Sequence, residues 1–432
     1  MSVQKVLILS YYYPSCGLTA SARAAAWAQH LPEFGYYPIV VTRKWEHPIR
    51  SRQDLSRHTS NGDEIESNAH STTIRLPYRG SLKDRIYARH GDAHLRLPRR
   101  ALSFAELLLQ NYFLRPIPFR NLYFKARDLL ATKPDLEKVV ITANPFVLFS
   151  FGHRLKQEFP RIRWIADYRD DWNTTELTQE HGVLQRMVRS LDLRSERTWV
   201  ASASVVTTVS EHYRRKLGAF LDREARLLAN GFSGDDLLKV SPLERADEFV
   251  ITYNGTLYRS QPIEVFLEGF RRAARHFADR VALRMNFPGL AFDSMQADRV
   301  RTAMQGYEER LHITERISRE EVFALQNRSH AFLMVSHTGV KGTPSTKLYE
   351  YLCFRKPVFL CPDDGNIIRE TLEDTGLGVI CNSPDEVFRE LSRLVEEHLA
   401  GQGGAGVGKW EAIMKYSRRS QTRALADMLD SL

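Results

Sequence analysis

The apolar positions of this chain fall into short runs separated by stretches of helical spacing. Residues 3–10 form an apolar run that passes into Tyr11-Tyr12-Tyr13-Pro14. Ala24, Trp27, Ala28 and Leu31 then recur at the intervals of one buried helix face until Pro32 and Gly35 stop it. A second apolar run covers 38–42. Strand, loop, helix and strand at this spacing predict a βαβ unit and the start of a parallel sheet. Further runs at 139–143, 163–167 and 205–209 continue the rhythm. A second series of strands is predicted at 249–253, 281–287, 331–335 and 357–361, with helices at about 262–277, 319–327, 346–354 and 385–398. The predicted fold class is therefore α/β, with two doubly wound Rossmann-like domains. The polar stretch 233–247 serves as the boundary, giving domains at 1–240 and 248–405. Residues 43–130 break the pattern and read as an insertion, 401–408 as a glycine-rich break, and 410–432 as a terminal helical segment.

Composition excludes several classes. Hydrophobic residues make up 43% and charged residues 26% of the 432, as in ordinary globular proteins. The longest apolar runs fall short of the roughly 20 residues that span a bilayer. The N-terminal run lacks a basic leader and a small-residue cleavage site, so it reads as a strand and not a signal peptide. The four cysteines, Cys16, Cys353, Cys361 and Cys381, show no CxxC spacing. Free thiols in a reducing cytoplasm are expected, with no structural zinc. The net charge of +9 is carried by one stretch. Residues 75–127 hold twelve Lys/Arg against three acids, which calls for an anionic partner.

Four segments are placed to do chemistry. The first is Gly339-Val340-Lys341-Gly342-Thr343-Pro344-Ser345-Thr346-Lys347-Leu348-Tyr349-Glu350, where a strand leads through a glycine-containing loop into a helix start. Free N–H groups there favour an anion. Ser345 and Thr346 would cap the helix or bond a phosphate. Lys347 opposes the dipole unless a phosphate sits beside it, and Glu350 is misplaced for a capping box but suits the two hydroxyls of a ribose. The alternative is a solvated helix start. The second segment is Asp167-Tyr168-Arg169-Asp170-Asp171 after a buried strand, at the end where α/β sheets bind ligands; the alternative is a surface ion network. The third is the small-residue loop 13–23, in which Gly17 permits close approach and Arg23 would face the ligand. It has no GxGxxG. The fourth is Tyr253-Asn254-Gly255-Thr256-Leu257-Tyr258-Arg259, with Gly255 open to a ligand and Arg259 available to a phosphate. No HExxH, GxSxG or Walker pattern occurs.

Taken in order, these pieces resemble a retaining glycosyltransferase of the GT-B fold, family four. The resemblance rests on residues 7–17, Gly35-Tyr36-Tyr37-Pro38, Asp167-Tyr168-Arg169-Asp170, Thr208-Val209-Ser210-Glu211, Asn230-Gly231-Phe232 and above all Ser345-Thr346-Lys347-Leu348-Tyr349-Glu350 followed by Lys356-Pro357-Val358. It implies two domains facing across a cleft, with a last helix that returns to the N-terminal one. It also implies a nucleotide-sugar donor, weakly a UDP-sugar, as substrate, with no cofactor and no metal. Glu350 would hold the ribose. Lys347 and the backbone of Gly342, Thr343, Ser345 and Thr346 would hold the diphosphate. Gly255 and Arg259 would approach it from the opposite loop, and Ile317 would flank the base. Asp170 or Asp167 would stand near the reacting sugar. The family often has a glutamate where this chain has Gly342, so backbone amides would replace it, or the donor would be unusual, or the enzyme inactive.

The acceptor implied is a glycan or a lipid-linked saccharide, in cell-surface polysaccharide or glycolipid synthesis. Arginines mixed with aromatics over 95–120 suit an anionic headgroup boundary, so peripheral binding at the cytoplasmic face of the inner membrane is expected; partly buried, snorkelling helices are the alternative. No nucleic-acid motif is present. The rival functions are a nucleotide-sugar epimerase of the same architecture and a catalytically inactive nucleotide-sugar-binding protein.

Overall fold

The computed structural model describes residues 3–47, 49, 52–91, 96–173, 183–241, 247–339, 341–342, 345–402 and 407–432. It divides into two compact units, 1–230 with 418–432, and 231–417.

The first unit holds an eight-stranded sheet: β1 (Gln4–Ser10), β2 (Tyr36–Arg43), β3 (Glu64–Ser67), β4 (Thr72–Leu76), β5 (Lys138–Ala143), β6 (Arg163–Tyr168), β7 (Val205–Thr208) and β8 (Arg226–Leu227), in the order β3-β4-β2-β1-β5-β6-β7-β8. Only β3, an edge strand, runs antiparallel. The alternation of β1 splits its side chains between two cores. Leu7 and Leu9 pack with Ile39 and Val41 on one face, and Val6 and Ile8 with Val140, Trp27 and Leu425 on the other. Both faces are covered, which is why the strands read as continuous apolar runs. The stretch expected to be a pure insertion supplies β3 and β4, so it belongs in part to the sheet.

The second unit holds a six-stranded parallel sheet: β9 (Glu248–Thr252), β10 (Ala282–Phe287), β11 (Leu311–Ile313), β12 (Ala331–Met334), β13 (Val358–Leu360) and β14 (Gly378–Ile380), in the order β11-β10-β9-β12-β13-β14. Strands β11 and β14 are three residues each, too short to give a periodicity. Residues 231–240 belong with this unit, where Phe232 packs beside Tyr349 and Ile413. The 410–432 segment divides. Helix Trp410–Lys415 stays with the second unit, while helix Arg418–Asp430 packs in the first. There Tyr36 Oη donates to Asp430 at 2.5 Å, Lys138 Nζ to the Leu429 carbonyl at 2.6 Å and Arg419 Nε to Glu33 at 2.6 Å. All four cysteines are buried free thiols.

One ion pair ties the carboxyl end of the first sheet together. Arg23, on helix Ala22–His30, donates from Nε to Asp167 Oδ2 at 3.0 Å and from Nη2 to Oδ1 at 2.7 Å. Strand register sets Thr207 beside Asp167, and its hydroxyl donates to Oδ1 at 2.7 Å. The same guanidinium bonds the carbonyls of Leu228 (2.7 Å) and Ala229 (2.9 Å). Asp167 is fully buried and Arg23 nearly so. This corrects two expectations. Arg23 does not face a ligand, and Asp167 is not free to touch a sugar, because a desolvated carboxylate needs its donors here.

Removing one partner leaves a buried charge unanswered, which costs ~3–5 kcal/mol. Arg23→Met or Asp167→Leu alone should therefore destabilise the first unit by about that much, and the double replacement by clearly less. Thermal unfolding of the two singles and the double checks this; equal losses in all three would contradict it.

Candidate functional site

In the second sheet the chain runs outward from β9 through β10 to β11, returns, and runs outward again from β12 to β14. The switch point lies between β9 and β12, where such sheets open a crevice at their carboxyl ends. The loops leaving these two strands are tied together. Gln261 Nε2 donates to the Val335 carbonyl at 2.7 Å, and the Thr338 amide to the Ser260 carbonyl at 2.8 Å. Ser260 Oγ and His337 Nδ1 lie 2.8 Å apart. Gln261 Oε1 also accepts from the Tyr258 amide at 2.9 Å. Gln261 is thus the buried staple of the crevice, because one amide serves both loops.

Helix Thr346–Leu352 carries the charged groups to this point. Its Tyr351 hydroxyl accepts from the Asn254 amide at 2.8 Å, which fixes the loop after β9 against the helix. Lys347 Nζ lies 4.0 Å from the centre of the Tyr253 ring and 3.4 Å from the Thr256 carbonyl. Gly255 has φ +91°, and a Cβ there would sit 3.9 Å from Lys347 Nζ. A glycine therefore keeps the backbone open beside the ammonium. The helix is only seven residues long, so the attraction for an anion rests on Lys347 more than on a macrodipole. Ser345 occupies the N-cap position but makes no side-chain cap bond. Ser345 and Thr346 are both half-buried.

The electrostatics fit an anion. Burial pushes the Lys347 ammonium down to about 7, with the Glu350 carboxylate opposing the shift. Burial, and then the Lys347 charge, also lowers His337. Arg259, exposed at the end of the same loop, touches Met295 Sδ at 3.0 Å and has no carboxylate partner among the described residues. Gly342 is buried at φ +76°, a conformation costly for a residue with a side chain. The backbone there favours glycine.

The structure thus brings together Gly255, Lys347 and Glu350, with Arg259 on the same loop as Gly255. Ile317 lies after edge strand β11, at the same end of the sheet but beyond β10. Thr343 falls outside the described residues. In the first unit Asp170 is exposed and paired with Arg169 at 2.7 Å. Gly17 is exposed, with nothing within 4 Å of the place where a side chain would begin. Tyr253, Gln261 and Tyr351 were not foreseen as site residues. Tyr253 and Tyr351 sit inside the motifs, but Gln261 has no local signal, since its partner lies on a distant strand.

No family model matches the chain, and no curated protein matches it in sequence. Solved structures do match. Sucrose-phosphate synthase from Thermosynechococcus elongatus superposes with a TM-score of 0.61 at 14% identity, covering 99% of this chain and 98% of that one. An E. coli protein described as trehalose-6-phosphate bound with UDP-2-fluoro glucose gives 0.58 at 12%, covering 99% of each chain. HepE from Anabaena, in complex with UDP and glucose, gives 0.54 at 12%, covering 99% of this chain and all of that one. The fold is GT-B. At these identities the likeness is one of architecture.

An anion beside Lys347 restores its proton, because the charged form is then favoured. Binding of a nucleoside diphosphate at pH 8 should take up to about one proton, and affinity should fall as pH rises above 7, where the free amine loses its charge. Calorimetry in buffers of different ionisation enthalpy measures this. The uptake should vanish in Lys347→Met; uptake that persists there would contradict the assignment.

Proposed function

We propose that this chain is a retaining glycosyltransferase that moves a sugar from a nucleoside diphosphate sugar, UDP-linked by preference, to a glycan or lipid-linked acceptor. The observation that carries the reading is the placement of Lys347 beside the open backbone of Gly255 at the switch point, with Glu350 one turn along the same helix. Two structures of the same fold are described with UDP or a UDP-sugar bound, which supports a donor of that class.

In this reading Glu350 accepts hydrogen bonds from the ribose hydroxyls, and Ile317 lies against the base. Lys347 and Arg259 neutralise the diphosphate as it departs, aided by the Gly255 amide and the amides around Gly342, Thr343, Ser345 and Thr346. Charge develops on the leaving group in the transition state, so cations already in place lower the barrier without reorganising. The side chains supply this charge and no metal is invoked. The acceptor hydroxyl attacks from the face the diphosphate leaves, through an oxocarbenium-like state, and no protein nucleophile is needed. Asp170, exposed and beside Arg169, is the carboxylate assigned to the acceptor in this reading. Gly17 lets the acceptor approach the first β–α turn.

Glu350→Ala should weaken UDP binding by about tenfold or more, the value of lost charge-assisted bonds, as read by calorimetry. Asp170→Asn should lower kcat with UDP binding unchanged. An epimerised sugar nucleotide formed from donor alone would contradict transfer as the activity.

The location proposed is the cytoplasmic face of the inner membrane, with a role in cell-surface polysaccharide or glycolipid synthesis. No described helix is long and apolar enough to cross a membrane. Supporting a peripheral contact, Leu82, Leu109, Tyr112 and Phe113 are exposed within the basic 75–127 stretch. Apolar side chains among arginines suit an anionic headgroup region. Flotation should show binding to phosphatidylglycerol vesicles, weaker binding to phosphatidylcholine, and loss of the difference in Tyr112→Ser/Phe113→Ser. Equal binding to both vesicle types would contradict it.

A further inference from the structure

The first unit contains a second place where positive charge converges. A recess of about 400 Å³ is lined by Arg79, Arg85, Arg115 and Arg120, together with Ser81 and Glu106. Its size falls within the range of small-molecule sites, about 300–1,000 Å³. Glu106 is spent on Lys83 at 2.8 Å. None of the four arginines pairs with a carboxylate among the described residues. Arg79 donates to Asn61 at 3.0 Å, Arg85 to the Gly80 carbonyl at 3.3 Å and Arg120 to the Arg115 carbonyl at 3.0 Å. The Arg115 guanidinium has no hydrogen-bond or ion-pair partner there at all.

The walls of the recess are held at the ligand-facing end of the first sheet. Residues 79–82 follow β4, and Tyr78 and Phe119 pack with Tyr11, which follows β1, at centroid distances of 6.5 and 4.8 Å. Arg43 fills the centre of this aromatic group, 3.6 Å from the Tyr78 ring. Asn121 Nδ2 donates to the Pro77 carbonyl at 2.6 Å, which ties the chain after β4 to the start of helix Asn121–Thr132. The recess is thus braced by the same side chains that line the carboxyl end of β1. Four like charges gathered on a braced wall repel one another, and the arrangement gains most from an occupant that neutralises them. Guanidinium forks match phosphate oxygens two at a time, which a solvated lysine patch does not do.

We propose that this recess binds the phosphate or diphosphate group of the acceptor. The inference rests on the transferase reading and adds the chemical class of the second substrate: a phosphorylated or diphosphate-linked saccharide. A free sugar phosphate and a lipid diphosphate present the same group, so the chemistry is shared and the source is read by experiment.

The test uses the full chain with its nucleotide site saturated by UDP, so that added anions report on the arginine recess. Inorganic pyrophosphate, glucose 6-phosphate and farnesyl diphosphate are titrated in turn by calorimetry. Pyrophosphate should bind, and Arg115→Gln and Arg85→Gln should each weaken it by about tenfold, with UDP affinity unchanged as evidence of an intact fold. Tighter binding of farnesyl diphosphate than of glucose 6-phosphate identifies a lipid-linked source, and the reverse a soluble one; either supports the recess as a phosphate site. Absence of pyrophosphate binding, or equal binding by wild type and both variants, overturns the proposal. If UDP itself fails to bind, the transferase reading fails, while pyrophosphate binding and its loss in the arginine variants still decide the recess.

Discussion

In a parallel sheet every strand delivers its following loop to the same end, and this constraint decides where chemistry can gather in both units. Loops alone are mobile, so their usefulness depends on what ties them. In the first unit the tie is the buried Arg23–Asp167 pair, reinforced by Thr207 and the carbonyls of Leu228 and Ala229. One guanidinium there joins the first helix, strand β6 and the chain just after β8, while Thr207 of β7 shares the carboxylate. In the second unit the tie is neutral. Gln261 and Tyr351 fix the loops after β9 and β12 through backbone bonds.

The contrast between the two cations explains their different roles. Arg23 is matched by a carboxylate and carbonyls in fixed geometry, so its charge is neutralised in the folded protein and it holds structure. Lys347 sits over an aromatic face and beside a glycine, with its charge held down by burial. A cation kept short of compensation is poised for an anionic ligand, and the binding energy comes in part from relieving that shortage.

Much of the architecture was legible because strands covered on both faces become unbroken apolar runs. The predicted helix at 319–327 matches helix Arg319–Asn327, and the strand at 331–335 begins where β12 does. Strands β11 and β14 were not legible, since three residues carry no period. Strands β3 and β4 were hidden by polar flanks: β3 is an edge strand with every side chain exposed. Of the candidate site, the proximity of Lys347 and Gly255 could be anticipated because each lies in a motif at a strand end. Arg23 and Asp167 were misread for a physical reason. A charge at a strand end looks the same in sequence whether it meets a ligand or a partner far along the chain, and only the fold reveals that these two meet each other. Gln261 escaped notice likewise, as its value lies in a carbonyl on another strand.

The central claim is that a nucleoside diphosphate occupies the switch point of the second sheet. A crystal structure of the chain grown with UDP tests it most directly. The account predicts the diphosphate within hydrogen-bond distance of Lys347 Nζ and the Gly255 amide, with the ribose hydroxyls on Glu350. UDP seated away from the carboxyl ends of β9 and β12, or bound there with Glu350 and Lys347 making no contact, would contradict it.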